Sequence, residues 1–232
     1  MMDIQIFHLI EGARQAEGLT VIIDVFRAFS MECWLYALGA REVRPAGTVE
    51  ETFAWREKDP DCVLVGERHG KKFDGCDLGN SPSSILPDQI SGKRVVHTTS
   101  AGTQGIVNAY HAKEILTGSF VNAAAVAAYI RKTSPGKVSL VCMGKEGLEK
   151  AEEDELCAEY LKGMLTGNPV PDIDGKLKAL RFGGGKHFFD PDKQEIYPEA
   201  DFGLCIDRDR FDFVLRIGKD RDGFVSERIR VI

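Results

Sequence analysis

The sequence predicts an α/β fold of three layers, α/β/α, in which helices cover both faces of a largely parallel sheet and the chain ends in an antiparallel hairpin. Three observations lead there. Short apolar runs alternate with amphipathic stretches from about Leu19 to Leu165, the rhythm of repeated strand–helix units. Those runs are apolar nearly throughout, as strands buried on both faces are. After about Asn168 the alternation stops: "PVPDIDGKLKALRFGGGKHFFDPDKQEIYPEAD" is rich in Pro, Gly and charge, and "FDFVLRI" and "FVSERIRVI" then face each other across "GKDRDG".

Taken in order, "LTVIIDV" reads as a strand and "RAFSMECWLYALGA" as a helix closing near Gly39. "EVRPA" is a short strand. "TVEETFAWREK" is a helix capped by Thr48, with Glu51 three residues on to complete a capping box. "CVLVGE" and "KRVVHTT" are strands, the second followed by a helix from about Gly102 to His111. "KEILTGS" and "KVSLVCMG" are strands, leading into the helices "NAAAVAAYIRK" and "EEDELCAEYLKGMLTG". A domain boundary near Asn168 and a single domain over residues 1–232 both fit this pattern, and the single domain is the expectation taken forward.

At 232 residues, with 43% hydrophobic and 28% charged residues, the chain can bury a core without disulfides or metal, which sets it apart from disordered and disulfide-scaffold classes. A net charge of −6 gives no general attraction to nucleic acid or to an anionic membrane, so any anionic ligand needs a local positive potential. The six cysteines are scattered, lack a CxxC pair and sit mostly in apolar runs, as reduced, buried thiols do. "MMDIQIFHLIEG" lacks the basic start and long apolar core of a signal peptide, and no run approaches the ~20 apolar residues of a membrane span. The expectation is a cytoplasmic protein whose partner is a small molecule, with the C-terminal hairpin offering a sheet edge for a homo-oligomer.

In open α/β sheets, ligands collect beyond the carboxyl ends of the strands. Here those ends are polar: Asp24 with Arg27, Glu67 with Arg68, Thr98-Thr99-Ser100-Ala101-Gly102-Thr103, Gly118-Ser119, and Gly144-Lys145-Glu146. "GNSP" offers a helix start, with Asn80 or Ser81 as cap and Pro82 at the first helical position, and such a start presents N–H groups to an anion. "TTSAGT" offers glycine for close backbone approach and hydroxyls as donors. Arg27 and Arg68 suit anionic oxygens, and Asp24 and Glu67 suit Mg²⁺. Each residue has a plainer role when taken alone: Asp24 as a turn residue, Arg27 as a solvated helix residue, His97 as a hydrogen-bonded core residue. The case rests on their convergence at one sheet edge.

Rival motifs are weaker. "VIIDVFR" is similar to the haloacid-dehalogenase start, but Phe26 replaces the second acid. Cys62 to Arg68 has the Cys-x5-Arg spacing of cysteine phosphatases, but the apolar "VLV" cannot wrap an anion. "FGGGK" lacks the Ser or Thr after Lys186 and the first glycine of a P-loop, with Leu180 in its place, and reads as a flexible turn.

Together, "VIIDVFRAFS", "VGERHGKKFDGCDLGNSP", "TTSAGT" and "EEDELCAEYL" occur in the order seen in the 2-phosphosulfolactate phosphatase (ComB-like) family. The resemblance runs from Leu19 to Leu165 and more weakly through "ADFGLCIDRDRFDFVLRI". It implies a Mg²⁺-dependent phosphatase of three-layer fold that converts 2-phosphosulfolactate to sulfolactate and phosphate, a step toward coenzyme M. It points to Asp24 and Arg27; to Glu67, Arg68, Asp77, Gly79, Asn80 and Ser81; to Thr98, Thr99, Gly102 and Thr103; and to Glu153 and Asp154. Phe26, Phe29 and Ala101 depart from the family's pattern and are expected to reshape the pocket.

The expected catalytic set is Asp24, Arg27, Glu67 and Asp154, with Mg²⁺ surrounded by Asp24, Glu67 and Asp154 directly or through water. Arg68, Asn80, Ser81, Thr98, Thr99, Gly102 and Thr103 are expected to bind substrate. Attack by water and attack by Asp24 both remain open, as does a sensor of a phosphorylated small molecule that does not turn it over.

Overall fold

A computed structural model describes residues 2–231, so the first residue of "MMDIQIFHLIEG" and the last of "FVSERIRVI" lie outside it. The chain runs β1 (Asp3–His8), α1 (Leu9–Gln15), β2 (Gly18–Ile23), α2 (Ala28–Ala37), β3 (Glu42–Pro45), α3 (Val49–Lys58), β4 (Val63–Arg68) and β5 (Lys71–Lys72). It continues α4 (Pro87–Ile90), β6 (Arg94–Thr98), α5 (Gly102–Asn108), β7 (Ala112–Gly118), α6 (Ala123–Thr133), β8 (Lys137–Cys142) and α7 (Glu152–Thr166). The last part holds α8 (Ile173–Ala179), α9 (Glu199–Ile206), β9 (Phe213–Asp220) and β10 (Gly223–Arg230). The strand–helix alternation therefore forms as the periodicity predicts, and the capping box of α3 is present, with Glu51 N–H donating to Thr48 Oγ1 at 3.1 Å.

The strands join in the order β1-β8-β2-β7-β9-β10-β3-β6-β4-β5. β1, β8, β2 and β7 are mutually parallel, and so are β3, β6 and β4. Between these blocks lies the hairpin, with β9 antiparallel to β7 and β10 antiparallel to both β9 and β3. The hairpin thus fills the centre of the sheet. It is not the edge expected to serve self-association; β1 and β5 are the edges. Tyr36 of α2 ties this seam, accepting from Val43 N–H and donating to the Ser226 carbonyl.

This order also revises how the strand ends meet. Three antiparallel pairings separate the blocks, so β3, β6 and β4 run opposite to β1, β8, β2 and β7. Twist brings them together: six steps separate β2 from β4, and about 20–25° per step rotates one against the other by roughly 120–150°. The carboxyl ends of both blocks then open on one space.

Alternate residues of β2 show the three layers. Val21 and Ile23 pack with Val126, Ala127 and Leu161 of α6 and α7, while Ile22 packs with Ala13 of α1 and Ile106 of α5. In the second block, Leu64 and Val96 meet Trp55 of α3, while Val63, Val65 and Val95 meet Leu35 of α2 and Ile90 of α4. All six cysteines are free and buried. Among the described residues, no helix is long and apolar enough to cross a membrane.

Candidate active site

Asp24 stands one residue beyond β2 and is 6% exposed. Its Oδ1 accepts weakly from Ala28 N–H at 3.4 Å, at the start of α2. Gly102 must be glycine here, because a Cβ would lie 2.8 Å from Ala28 Cβ and 3.0 Å from Asp24 Oδ2. Asp154, in the first turn of α7, joins two strand ends: its Oδ1 accepts from Val25 N–H at 2.8 Å and its Oδ2 from Gly144 N–H at 2.7 Å. Glu67, near the end of β4, accepts from Ser100 N–H and Gly70 N–H, each at 2.7 Å.

These acids line one cavity of about 650 Å³ together with Arg27, Asn80, Ala101 and Glu153. Glu67, Asp24, Glu153 and Asp154 are all buried, and among the described residues none takes part in an ion pair. Burial, then the charges of Asp154 and Glu67, holds the Asp24 carboxyl well above the usual range. Burial and Glu153 do the same to Asp154. Burial, with Asp24 and Glu152 adding to it, pushes Glu153 up to about 7, and among the described residues its Oε2 has no hydrogen-bond partner.

Arg27 is held from several sides. Its Nη1 donates to the Ile196 carbonyl at 2.8 Å and to Asp201 Oδ2 at 3.1 Å, its Nη2 donates to the Gly70 carbonyl at 3.0 Å, and it lies over the Tyr197 ring. Three of the five guanidinium N–H groups are thus engaged and two are left for a ligand. Asp201, fully buried in α9, also accepts from Ser81 Oγ at 2.9 Å, Ser83 Oγ at 2.6 Å and Ser83 N–H at 3.0 Å.

Several expected binding residues are engaged elsewhere. Pro82–Ser84 is a single 3₁₀ turn with no side-chain cap, so "GNSP" does not begin an α-helix, and Ser81 turns to Asp201. Asn80 stays on the cavity wall, where its Oδ1 accepts from His97 Nε2; His97 is the buried core residue expected, pushed down to about 4 by burial. Thr99 and Thr103 satisfy each other, with reciprocal N–H to Oγ1 bonds at 3.0 and 3.1 Å. Thr98 accepts from Arg68, which lines a smaller neighbouring cavity of about 400 Å³ with His69 and Ser100. Asp77 accepts from Leu64 N–H and anchors its loop to β4.

Besides the expected Arg27, the cavity holds Lys145, which stands at a polar strand end, and three lysines that the motifs missed. Lys145, Lys150, Lys186 and Lys193 line it, and among the described residues the first three take part in no ion pair. "FGGGK", read as a flexible turn, folds over the acids: Gly183, Gly184, Lys186 and His187 line the cavity, and Gly184 N–H donates to Glu152 Oε2 at 3.0 Å. A Cβ at Gly184 would lie 2.3 Å from an oxygen of the buried Glu153 carboxylate, whereas one at Gly183 would meet the exposed Glu152 carboxylate, which is free to swing away. No local pattern distinguishes such lysines from surface ones, and Asp201 had only the weak resemblance of "ADFGLC" as a signal. Phe26 lines the cavity and packs on His187 and Phe188, whereas Phe29 is core. Cys62 packs against Trp55 and Leu64, and burial raises its thiol, so the Cys-x5-Arg spacing makes no nucleophile.

Comparison with known proteins gives the family. The sequence profile of the 2-phosphosulpholactate phosphatase family matches residues 4–191. Similar proteins include a "Probable 2-phosphosulfolactate phosphatase" of Bacillus subtilis (strain 168), 28% identical over 91% of this chain and 92% of that one. Those of Caldicellulosiruptor saccharolyticus and Caldanaerobacter subterraneus subsp. tengcongensis bear the same name, at 35% and 31% identity over 85% and 87% of this chain and 88% of each relative. With the family profile covering most of the chain and the motif acids gathered in one cavity, this chain belongs to the 2-phosphosulpholactate phosphatase family, whose members are phosphoric monoester hydrolases.

Proposed function

We propose that this protein hydrolyses a small phosphorylated acid, 2-phosphosulfolactate to sulfolactate and phosphate, and that the reaction depends on Mg²⁺. The observation that carries the reading is the pairing, in one cavity, of four buried carboxylates and three lysines that, among the described residues, take part in no ion pair. A substrate bearing phosphate, sulfonate and carboxylate suits three lysines. A divalent cation suits the acids, since buried carboxylates without compensating charge are costly.

The residues fit Mg²⁺. The donors are all oxygen, and Glu153 Oε2 lacks a partner. Among the described residues, Asp24, Glu67 and Asp154 do not bring one oxygen each within 4.8 Å of the others. One or two of Asp24, Glu153 and Asp154 would therefore hold the ion directly and the rest through water, as is usual for Mg²⁺. Bound there, it would polarise a phosphoryl oxygen and offset developing charge.

The chain's own residues do the positioning. Asp201 and the Ile196 and Gly70 carbonyls fix Arg27 so that its two remaining N–H groups meet phosphoryl oxygens without reorganising. Glu67 holds the Ser100 and Gly70 backbones in place, and Asp154 does so for Val25 and Gly144. Where Asp24 and Asp154 hold the ion, the raised carboxyl of Glu153 is free to hold a proton for the leaving alkoxide. Lys145, Lys150 and Lys186 hold the other anionic groups. The test is phosphate release from 2-phosphosulfolactate, phospholactate and phosphoglycolate with Mg²⁺ and with EDTA. Metal-dependent turnover that favours the sulfonated substrate is expected, and undiminished release in EDTA would refute the metal reading.

A further inference from the structure

A second group of side chains lies outside the cavity. His8 ends β1 and Cys142 ends β8, and the two are direct partners in the parallel register. Glu155 projects from the first turn of α7. His8 Nδ1 is 2.7 Å from Glu155 Oε1, and these two atoms and Cys142 Sγ all lie within 4.8 Å of one another. This is the one such trio of His, Cys, Asp or Glu ligand atoms among the described residues. None of the three lines the cavity.

We propose that His8, Cys142 and Glu155 form a binding site for a borderline divalent metal of the zinc class, separate from the cavity acids. One nitrogen, one sulfur and one oxygen donor select such an ion over Mg²⁺, which prefers oxygen alone. Three protein ligands leave a fourth position for water, and the His8 and Glu155 side chains, 32% and 31% exposed, leave it reachable. Zinc–ligand bonds of about 2.0–2.3 Å place tetrahedral ligands roughly 3.2–3.8 Å apart. The His8–Glu155 hydrogen bond would open by about half an ångström, and the sulfur would move inward by less than about one. On binding, the metal takes the thiolate and the thiol proton leaves to solvent. That thiol now donates to the Asp154 carbonyl at 3.4 Å, so occupancy would be felt one residue from Glu155, at a residue of the cavity. The proposal stands apart from the Mg²⁺ reading.

The test is titration of the chelator-stripped full-length protein with Co²⁺, read by thiolate-to-cobalt charge-transfer absorption. With excess Mg²⁺ present to hold the cavity acids, the band should saturate at one equivalent of Co²⁺. Zn²⁺ should bleach the band, and excess Mg²⁺ should leave it. Cys142→Ser should abolish the band, and His8→Ala and Glu155→Gln should each weaken Co²⁺ binding at least tenfold. No band, a band that survives Cys142→Ser, or one bleached by Mg²⁺ overturns the site. If Cys142→Ser does not fold, the part-exposed His8 and Glu155 variants decide, and unchanged affinity in both refutes the proposal.

Discussion

Asp24 sits among buried acids and makes only a weak contact of its own, so its charge has little structural purpose. Asp24→Asn should keep the fold and lower turnover by at least ~10²-fold, or about 2.7 kcal/mol of barrier. Cys62→Ser, which alters only packing under α3, should turn over almost normally. Steady-state rates on folded, monodisperse protein check the pair; a dead Cys62→Ser beside an active Asp24→Asn would reverse the assignment. Asp201 predicts a different outcome. Asp201→Ala strands the buried Arg27 guanidinium and leaves Ser81 and Ser83 without their acceptor, so urea unfolding should show a loss of about 3–5 kcal/mol. Asp201→Asn keeps an acceptor and should cost less. Lys186 carries its charge on the cavity wall without an ion-pair partner, so Lys186→Ala should raise KM about tenfold with kcat little changed, because it removes binding common to ground and transition states.

At the scale of the element, α2 holds a buried acid that the proposed chemistry does not use. Glu32 is fully buried beneath the central hairpin, and among the described residues neither carboxylate oxygen finds a hydrogen-bond partner, although the Thr117 and Ser226 hydroxyls lie beside it. Burial pushes its carboxyl up to about 7. The folded state therefore holds a proton that the unfolded chain has already released, so this contribution is fully present below the ordinary carboxylate range and is lost as pH rises through about 7. Stability should fall between about pH 4.5 and about pH 7, by about 3 kcal/mol in all, and level off above that. Glu32→Gln should flatten that slope, as measured by urea melts at the two pH values. An unchanged slope in the variant would assign the effect to another group.

At the scale of the molecule, the last strands hold the two parallel blocks together. β9 and β10 lie between β7 and β3, so removing residues 211–232 would expose two inner strand edges and the apolar partners of Leu215 and Ile217. We expect the truncated chain to aggregate or to lose its near-ultraviolet dichroism. The intact chain should unfold in one cooperative transition, with coincident tryptophan fluorescence and far-ultraviolet signals. Two separated transitions would instead favour a boundary near Asn168.

Much of this was legible in the sequence. Strand and helix identity from Leu19 to Leu165 follows from local periodicity, and the Thr48 cap follows from local chemistry, because those energies are settled within a few residues of one another. The motif acids Asp24, Glu67 and Asp154 could be picked out because they stand beside apolar strand ends or match family motifs. Other features belong only to the tertiary structure. The hairpin's place at the centre, the opposite senses of the two blocks and the twist that brings their ends together depend on pairings between residues far apart in sequence. Ser81 looked like a cap and became a donor to Asp201, 120 residues away, since a hydroxyl goes to the strongest acceptor that folding brings within reach. Lys145, Lys150 and Lys186 became one positive wall only when the glycine-rich segment closed over the acids, because a lysine's role is set by the charges that end up near it, and that is decided by packing.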